Sequence, residues 1–316
     1  MLLIFLCLLT LPALAAQTGI TDNVQAAYRA GATAAARNDF RAAETEFEKV
    51  VQLAPQLAQG HSALAVVLLR LGKVSDAIQE MEKALAIKPD DVPTQTNLAL
   101  AYEQTGANRK ALALFNKLEL QAAQRPVSDP SRIMSPAILS AYARSLAATG
   151  QVAEAIVKMK AAVADSPQSA ELHDALGSLY AQKENWAAAL AEFQQSLTLN
   201  PRLAATHLHA GVALLAVQRA PGAVTELTRA CELAPNNVVA ATELGKAYAA
   251  NNQDDKAIAA FQHAIHLDVK FAEAKYELAR ALQRNGRNAE SVPLLRQVLA
   301  SEPKNAEAGA SLGLAL

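Results

Sequence analysis

Side chains able to do chemistry are few in this chain and poorly placed to cooperate. There are six histidines and two cysteines. His207 and His209 are two residues apart, which on a helix aims them at different faces, so they cannot share a metal ion. His263 and His266 stand three apart on one face with Asp268 close by, a spacing that could in principle ligate a metal. We read them instead as exposed histidines on a solvated helix. Cys7 lies in an apolar leader. That leaves Cys231 alone in the rest of the chain, with no intramolecular disulfide to form and the character of a small buried hydrophobe. The sequence contains no glycine-rich phosphate loop, serine elbow, paired-cysteine motif or zinc-ligand spacing. No catalytic residue, metal site or cofactor is therefore expected.

The elements that carry these residues are helical. Hydrophobic residues make up 52% of the 316 positions but aromatics only 4%, because alanine dominates the apolar count. Alanine is the best helix former, and its small side chain lets helices approach closely. Net charge is −1, which excludes the global basic field of a nucleic-acid or anionic-membrane binder.

Prolines reveal the order of these helices. Pro55 and Pro89 are 34 residues apart, as are Pro167 and Pro201, and Pro201 and Pro235. With position 1 at Val24, Ala58, Val92, Pro136, Ala170, Ala204, Val238 and Ala272, four columns of different chemistry align. Position 8 is always Gly or Ala (Gly31, Ala65, Ala99, Ala143, Gly177, Gly211, Gly245, Ala279). Position 20 is alanine from Ala43 to Ala257, then Ser291. Position 24 is bulky: Phe47, Met81, Phe115, Met159, Phe193, Leu227, Phe261, Leu295. Position 15 holds Asn38, Gly72, Gly106, Gly150, Glu184, Gln218, Asn252 and Gly286. Small residues at 8 and 20 predict facing helices in close approach, with position 24 filling the space around them. Position 15 predicts the left-handed residue that ends a helix, and proline at 32 ends the next. Each unit is then an antiparallel helix pair that buries its apolar face only by stacking on neighbours.

These residues resemble the tetratricopeptide repeat family. The fifth unit carries the pattern best, with Leu176, Gly177, Tyr180, Ala189, Phe193 and Pro201; the seventh has Leu244, Gly245, Tyr248, Ala257 and Phe261. The family's tryptophan at position 4 is missing, and His61, His173 and His207 stand there instead. The resemblance covers roughly residues 24 to 316 and implies an all-α fold, a right-handed α-solenoid superhelix of eight 34-residue hairpins plus a C-terminal capping helix. It also implies a non-catalytic protein-interaction scaffold or assembly factor that holds segments of other proteins in a concave groove. That groove would be lined by positions 2, 5, 6, 9, 12 and 13 of the first helices. The candidate contact residues are Asn97, Arg144, Asp174, His209, Glu243, Lys246, Tyr276, Glu277, Arg280 and Arg284. The family's carboxylate clamp needs lysine at position 5, which none of the eight units has.

Three segments depart from the period. Residues 1–16 read as a signal peptide, an apolar run ending in Ala13-Leu14-Ala15, although no Lys or Arg precedes it. The protein is thus expected outside the cytoplasm, periplasmic or secreted, with no membrane span after cleavage; an uncleaved anchor is the alternative. Units 1–3 (24–125) and 4–8 (136–305) are separated by an inserted loop, 126–135, in which Ser135 and Pro136 predict a helix start. Residues 306–316 form a partial ninth unit or capping helix whose SLGLAL end is apolar. It motivates a second reading, a structural envelope component that self-associates through this edge.

Overall fold

The computed structural model describes residues 21–125 and 134–316. The expected signal peptide and most of the insertion lie outside the described residues. Among those described there are seventeen α-helices and no strand. They run as hairpins: α1 (Asp22–Ala36) with α2 (Phe40–Leu53), α3 (Ala58–Arg70) with α4 (Val74–Ile87), and α5 (Val92–Gln104) with α6 (Asn108–Ala123). After the insertion come α7 (Pro136–Ala148) with α8 (Val152–Asp165), α9 (Ala170–Gln182) with α10 (Trp186–Leu199), and α11 (Ala204–Ala216) with α12 (Ala220–Leu233). The series ends with α13 (Val238–Ala250) and α14 (Asp254–Leu267), α15 (Ala272–Arg284) and α16 (Asn288–Ser301), and the single helix α17 (Ala306–Ala315). From α3 onward each first helix begins at position 1 of the repeat and each second helix at position 17.

Within each hairpin the helix break has one cause. All eight residues at position 15 have positive φ, between 56° and 88°. Four are glycines and two are asparagines, which adopt this conformation at little cost; Glu184 and Gln218 adopt it against the preference of a side chain with a Cβ. After the insertion, Pro136 stands in the first turn of α7 as expected. Ser135 occupies the N-cap, but its side chain makes no capping bond and its buried hydroxyl has no partner. Helix α6 is two residues longer than the other second helices, in keeping with the helical pattern that continues into the insertion.

The chain divides into two compact units, residues 1–162 and 163–316, at the last turn of α8 and not at the insertion. In both, position 24 is the core. Phe115, Phe193, Phe261, Met81, Met159, Leu227 and Leu295 are among the largest fully buried side chains. Where position 8 is glycine the fit is closest: a Cβ on Gly245 would lie 2.4 Å from Cε1 of Phe261, and one on Gly211 the same distance from Cγ of Leu227.

Position 4, where the family's tryptophan is missing, carries a polar bridge. His61 Nδ1 meets Glu80 Oε2 at 2.5 Å and its Nε2 meets the Pro55 carbonyl at 2.9 Å. His173 repeats this with Glu192 (2.6 Å) and Pro167 (3.1 Å), and His207 with Glu226 (2.7 Å) and Pro201 (3.1 Å). Each ring is buried and ties position 23 of its own hairpin to the proline that ends the previous one. Gln95 makes half of this bridge: its Nε2 donates to the Pro89 carbonyl, but position 23 is Leu114 and its buried Oε1 has no partner.

Candidate binding groove

The first helices of successive hairpins touch one another: α5 with α7 in one unit, and α9, α11, α13, α15 and α17 in sequence in the other. In the second unit, side chains at positions 6, 9, 12 and 13 of these first helices therefore fall along one face. Between α11, α13 and α15 this face forms a groove of about 520 Å³. Its α11 wall is apolar, with Val212, Leu215 and Ala216. Its α15 wall carries Glu277, Arg280 and Arg284, and α13 between them contributes Glu243, Lys246, Ala249 and Ala250. Five of the ten expected contact residues thus converge here.

The groove's charges are organised by depth. Lys246 donates to Glu243 on its own helix (2.7 Å) and to Glu273 on α15 (2.5 Å). Burial works to lower the lysine's pKa, but these two hydrogen bonds outweigh it and hold the pKa above the ordinary lysine value, so the group stays charged. Arg284 pairs with Asp254 and also donates to the Ala249 carbonyl at 3.3 Å. Arg280 lies 5.6 Å from the centre of the Tyr276 ring and meets both Glu277 oxygens through Nη1 alone, at 3.2 and 3.3 Å. The carboxylates of Glu243 and Glu277 are mostly covered, at 15% and 18% side-chain exposure, whereas Arg280 and Arg284 are 52% and 47% exposed.

The other expected residues lie elsewhere. Tyr276 is not in the groove lining, and its hydroxyl donates to Glu307 on α17 at 3.2 Å. Asp174 and His209 pair with each other at 2.9 Å, with the imidazole tilted against Phe193. Asn97 and Arg144 belong to the other compact unit. Asn97 is buried, while Arg144 is exposed and bonded to Glu103 (2.7 Å) and Ser140 (2.8 Å). His207 is taken up in its bridge, away from His209. Among the described residues no cluster of three or more His, Cys, Asp or Glu could hold a metal ion, and no helix is long and apolar enough to cross a membrane. Sequence reasoning gave too little weight to the aliphatic wall: Leu215, Ala216, Ala249 and Ala250 sit at positions 12 and 13, but nothing in their chemistry draws attention to them.

Profiles described as tetratricopeptide repeat match residues 23–92, 140–204 and 208–274, and a second such profile matches 68–128 and 255–314. The chain belongs to the tetratricopeptide repeat family. Among curated proteins it is 32% identical over 150 residues to cellulose synthase operon protein C of Xanthomonas axonopodis pv. citri, covering 48% of this chain and 10% of that one. It is 27% identical over 198 residues to human DnaJ homolog subfamily C member 3, covering 58% and 38%. The match thus spans well under half of either relative. Among solved structures, the APC/C heterotetramer Cut9–Hcn1 superposes with a TM-score of 0.63 at 18% identity, over 97% of this chain and 58% of that one. The C-terminal part of a repeat protein from Cytophaga hutchinsonii superposes with a TM-score of 0.58 at 19% identity, over 78% and 98%. At these identities the likeness is one of fold. Tetratricopeptide repeats are protein-interaction scaffolds and generally non-catalytic, and that coarse function follows from the family.

Proposed function

We propose that this protein is an assembly scaffold acting outside the cytoplasm, and that it holds a segment of a partner protein in the groove between α11, α13 and α15. The observation that carries the reading is the convergence of Glu243, Lys246, Glu277, Arg280 and Arg284 opposite the aliphatic wall of α11. An interaction site of this kind combines an apolar surface that loses water on binding with a few polar groups that set orientation. Extracytoplasmic action rests on the apolar leader ending in Ala13-Leu14-Ala15.

The test is capture of partners from the native envelope by the full chain and by a variant carrying Val212→Asp, Arg280→Ala and Arg284→Ala, with helicity checked by circular dichroism. Loss of the captured proteins is expected; a folded variant that retains them all removes the groove from the function. Cell fractionation with mass analysis of the N-terminus checks the location, and a full-length cytoplasmic product would sink that part. A second reading, self-association through α17, has in its favour the exposed Leu314 and Leu316. It requires concentration-dependent mass in light scattering, abolished by Leu314→Ser.

A further inference from the structure

The groove's two walls differ in chemistry, and this narrows what can lie between them. Val212 is 38% exposed, and with Leu215 and Ala216 it forms a strip that only an apolar group would cover without losing hydrogen bonds to water. Across α13 stands Arg280. Its guanidinium has five donors, yet both of its contacts to Glu277 run through Nη1 and are long for an ion pair. Among the described residues Nη2 and Nε have no acceptor. Glu277, mostly covered, lies beneath the exposed guanidinium. Lys246 is already engaged with two carboxylates, and Arg284 commits Nη2 to its pairing with Asp254 and to the Ala249 carbonyl. An incoming ligand thus meets an aliphatic surface on one side and, on the other, the Arg280 guanidinium with its Nη2–Nε edge open.

We propose, resting on the groove reading above, that the occupant is an extended segment of a partner protein in which aliphatic and acidic residues alternate, aliphatic side chains against Val212 and Leu215 and a carboxylate on Arg280. Successive side chains of an extended chain point to opposite sides, so alternation in sequence becomes two chemically distinct edges. The carboxylate accepts hydrogen bonds from Nη2 and Nε in the fork geometry that arginine favours. A basic segment finds no open carboxylate at the same point, because Glu243 and Glu277 are mostly covered and already paired with Lys246 and Arg280.

Fluorescence anisotropy tests this with the full chain and three labelled octapeptides in which leucine alternates with aspartate, glutamine or lysine. The aspartate peptide is expected to bind at least tenfold more tightly than the glutamine peptide, with a preference that weakens as salt rises. Arg280→Ala should abolish that preference without changing the melting temperature by more than a degree or two, and Arg280→Glu should transfer it to the lysine peptide. Val212→Ser should weaken all three peptides together. Equal binding of the aspartate and glutamine peptides, a preference that survives both Arg280 changes, or no binding of any peptide at 1 mM would each overturn the proposal. Partner capture lost in the triple groove variant together with no acidic preference would leave the groove reading standing and remove only this one.

Discussion

His173 Nδ1 lies 2.6 Å from Glu192 Oε2, joining the fourth residue of one repeat to its twenty-third. The same ring reaches the Pro167 carbonyl, so one buried side chain ties three segments together where a large aromatic would otherwise fill space. Replacing His173 with Ala removes the bridge and leaves a part-buried carboxylate and a carbonyl without their partner. We expect a loss of about 2–3 kcal/mol in urea unfolding. A double-mutant cycle with Glu192→Gln should return a coupling of about 1 kcal/mol or more; additivity of the two changes would show that the bridge contributes only volume.

The incomplete bridge at Gln95 can be finished by design. Gln95→His together with Leu114→Glu rebuilds the His–Glu–carbonyl arrangement of its neighbours and removes the buried, unpartnered Oε1. The pair should be more stable than the sum of the two single variants by about 1 kcal/mol. Equal or negative coupling in chemical denaturation would count against the geometry.

Glycine at position 8 is required by its neighbour. Gly245→Ala places a methyl 2.4 Å from Phe261 Cε1 and should cost about 1–3 kcal/mol. Gly222→Ala meets Leu214 Cδ1 at an ordinary 3.4 Å, and should instead raise stability by about 0.5–1 kcal/mol through helix propensity. Thermal melts of the two variants should therefore shift in opposite directions.

Position 15 permits the reverse gain. Glu184 and Gln218 have φ of 56° and 59°, in the left-handed region that costs a side-chain-bearing residue about 1 kcal/mol. Glu184→Gly and Gln218→Gly should each stabilise the fold by up to about 1 kcal/mol, discounted for the greater freedom glycine has in the unfolded chain. Gly150→Ala, at φ 88°, should destabilise it by a similar amount.

Acid should weaken the fold through Glu80 and Asp91. Burial works to raise both carboxyl pKa values, but hydrogen bonds outweigh it and hold them below their ordinary range: Lys83 and His61 on Glu80, and Thr94 and Lys88 on Asp91. A carboxylate with a lowered folded-state pKa contributes stability that is fully present above its unfolded value, about 4, and lost as pH falls through the folded one. The urea midpoint should change little through these groups between pH 7 and about 5, then fall as pH drops below about 4. Asp91→Asn, which can keep the cap of α5 but loses the charge and its pairing with Lys88, should be less stable at pH 7 and fall less steeply in acid; an unchanged acid limb would dismiss Asp91 as a contributor.

The repeat was legible because its determinants are local and recur. A helix ends where position 15 turns left-handed, and Gly72, Asn252 and their counterparts announce that turn residue by residue. Small residues at 8 and bulky ones at 24 mark the contact of two helices 16 residues apart, so the hairpin and the 34-residue period follow from sequence alone. Even the histidine bridges left a trace, since His61, His173 and His207 each have glutamate nineteen residues on (Glu80, Glu192 and Glu226), although the pattern carries meaning only once the ring is known to stand between that glutamate and a proline carbonyl. Stacking decided the rest. Whether Arg280 is free to bind depends on Glu277 being covered beneath it, and whether Lys246 is free depends on Glu273, 27 residues away on the next first helix. Those pairings are set by how one hairpin lies against the next, and no spacing within a single repeat encodes them. The aliphatic wall of α11 opposite the cationic wall of α15 exists only because first helices pack side by side and bring three repeats to one face.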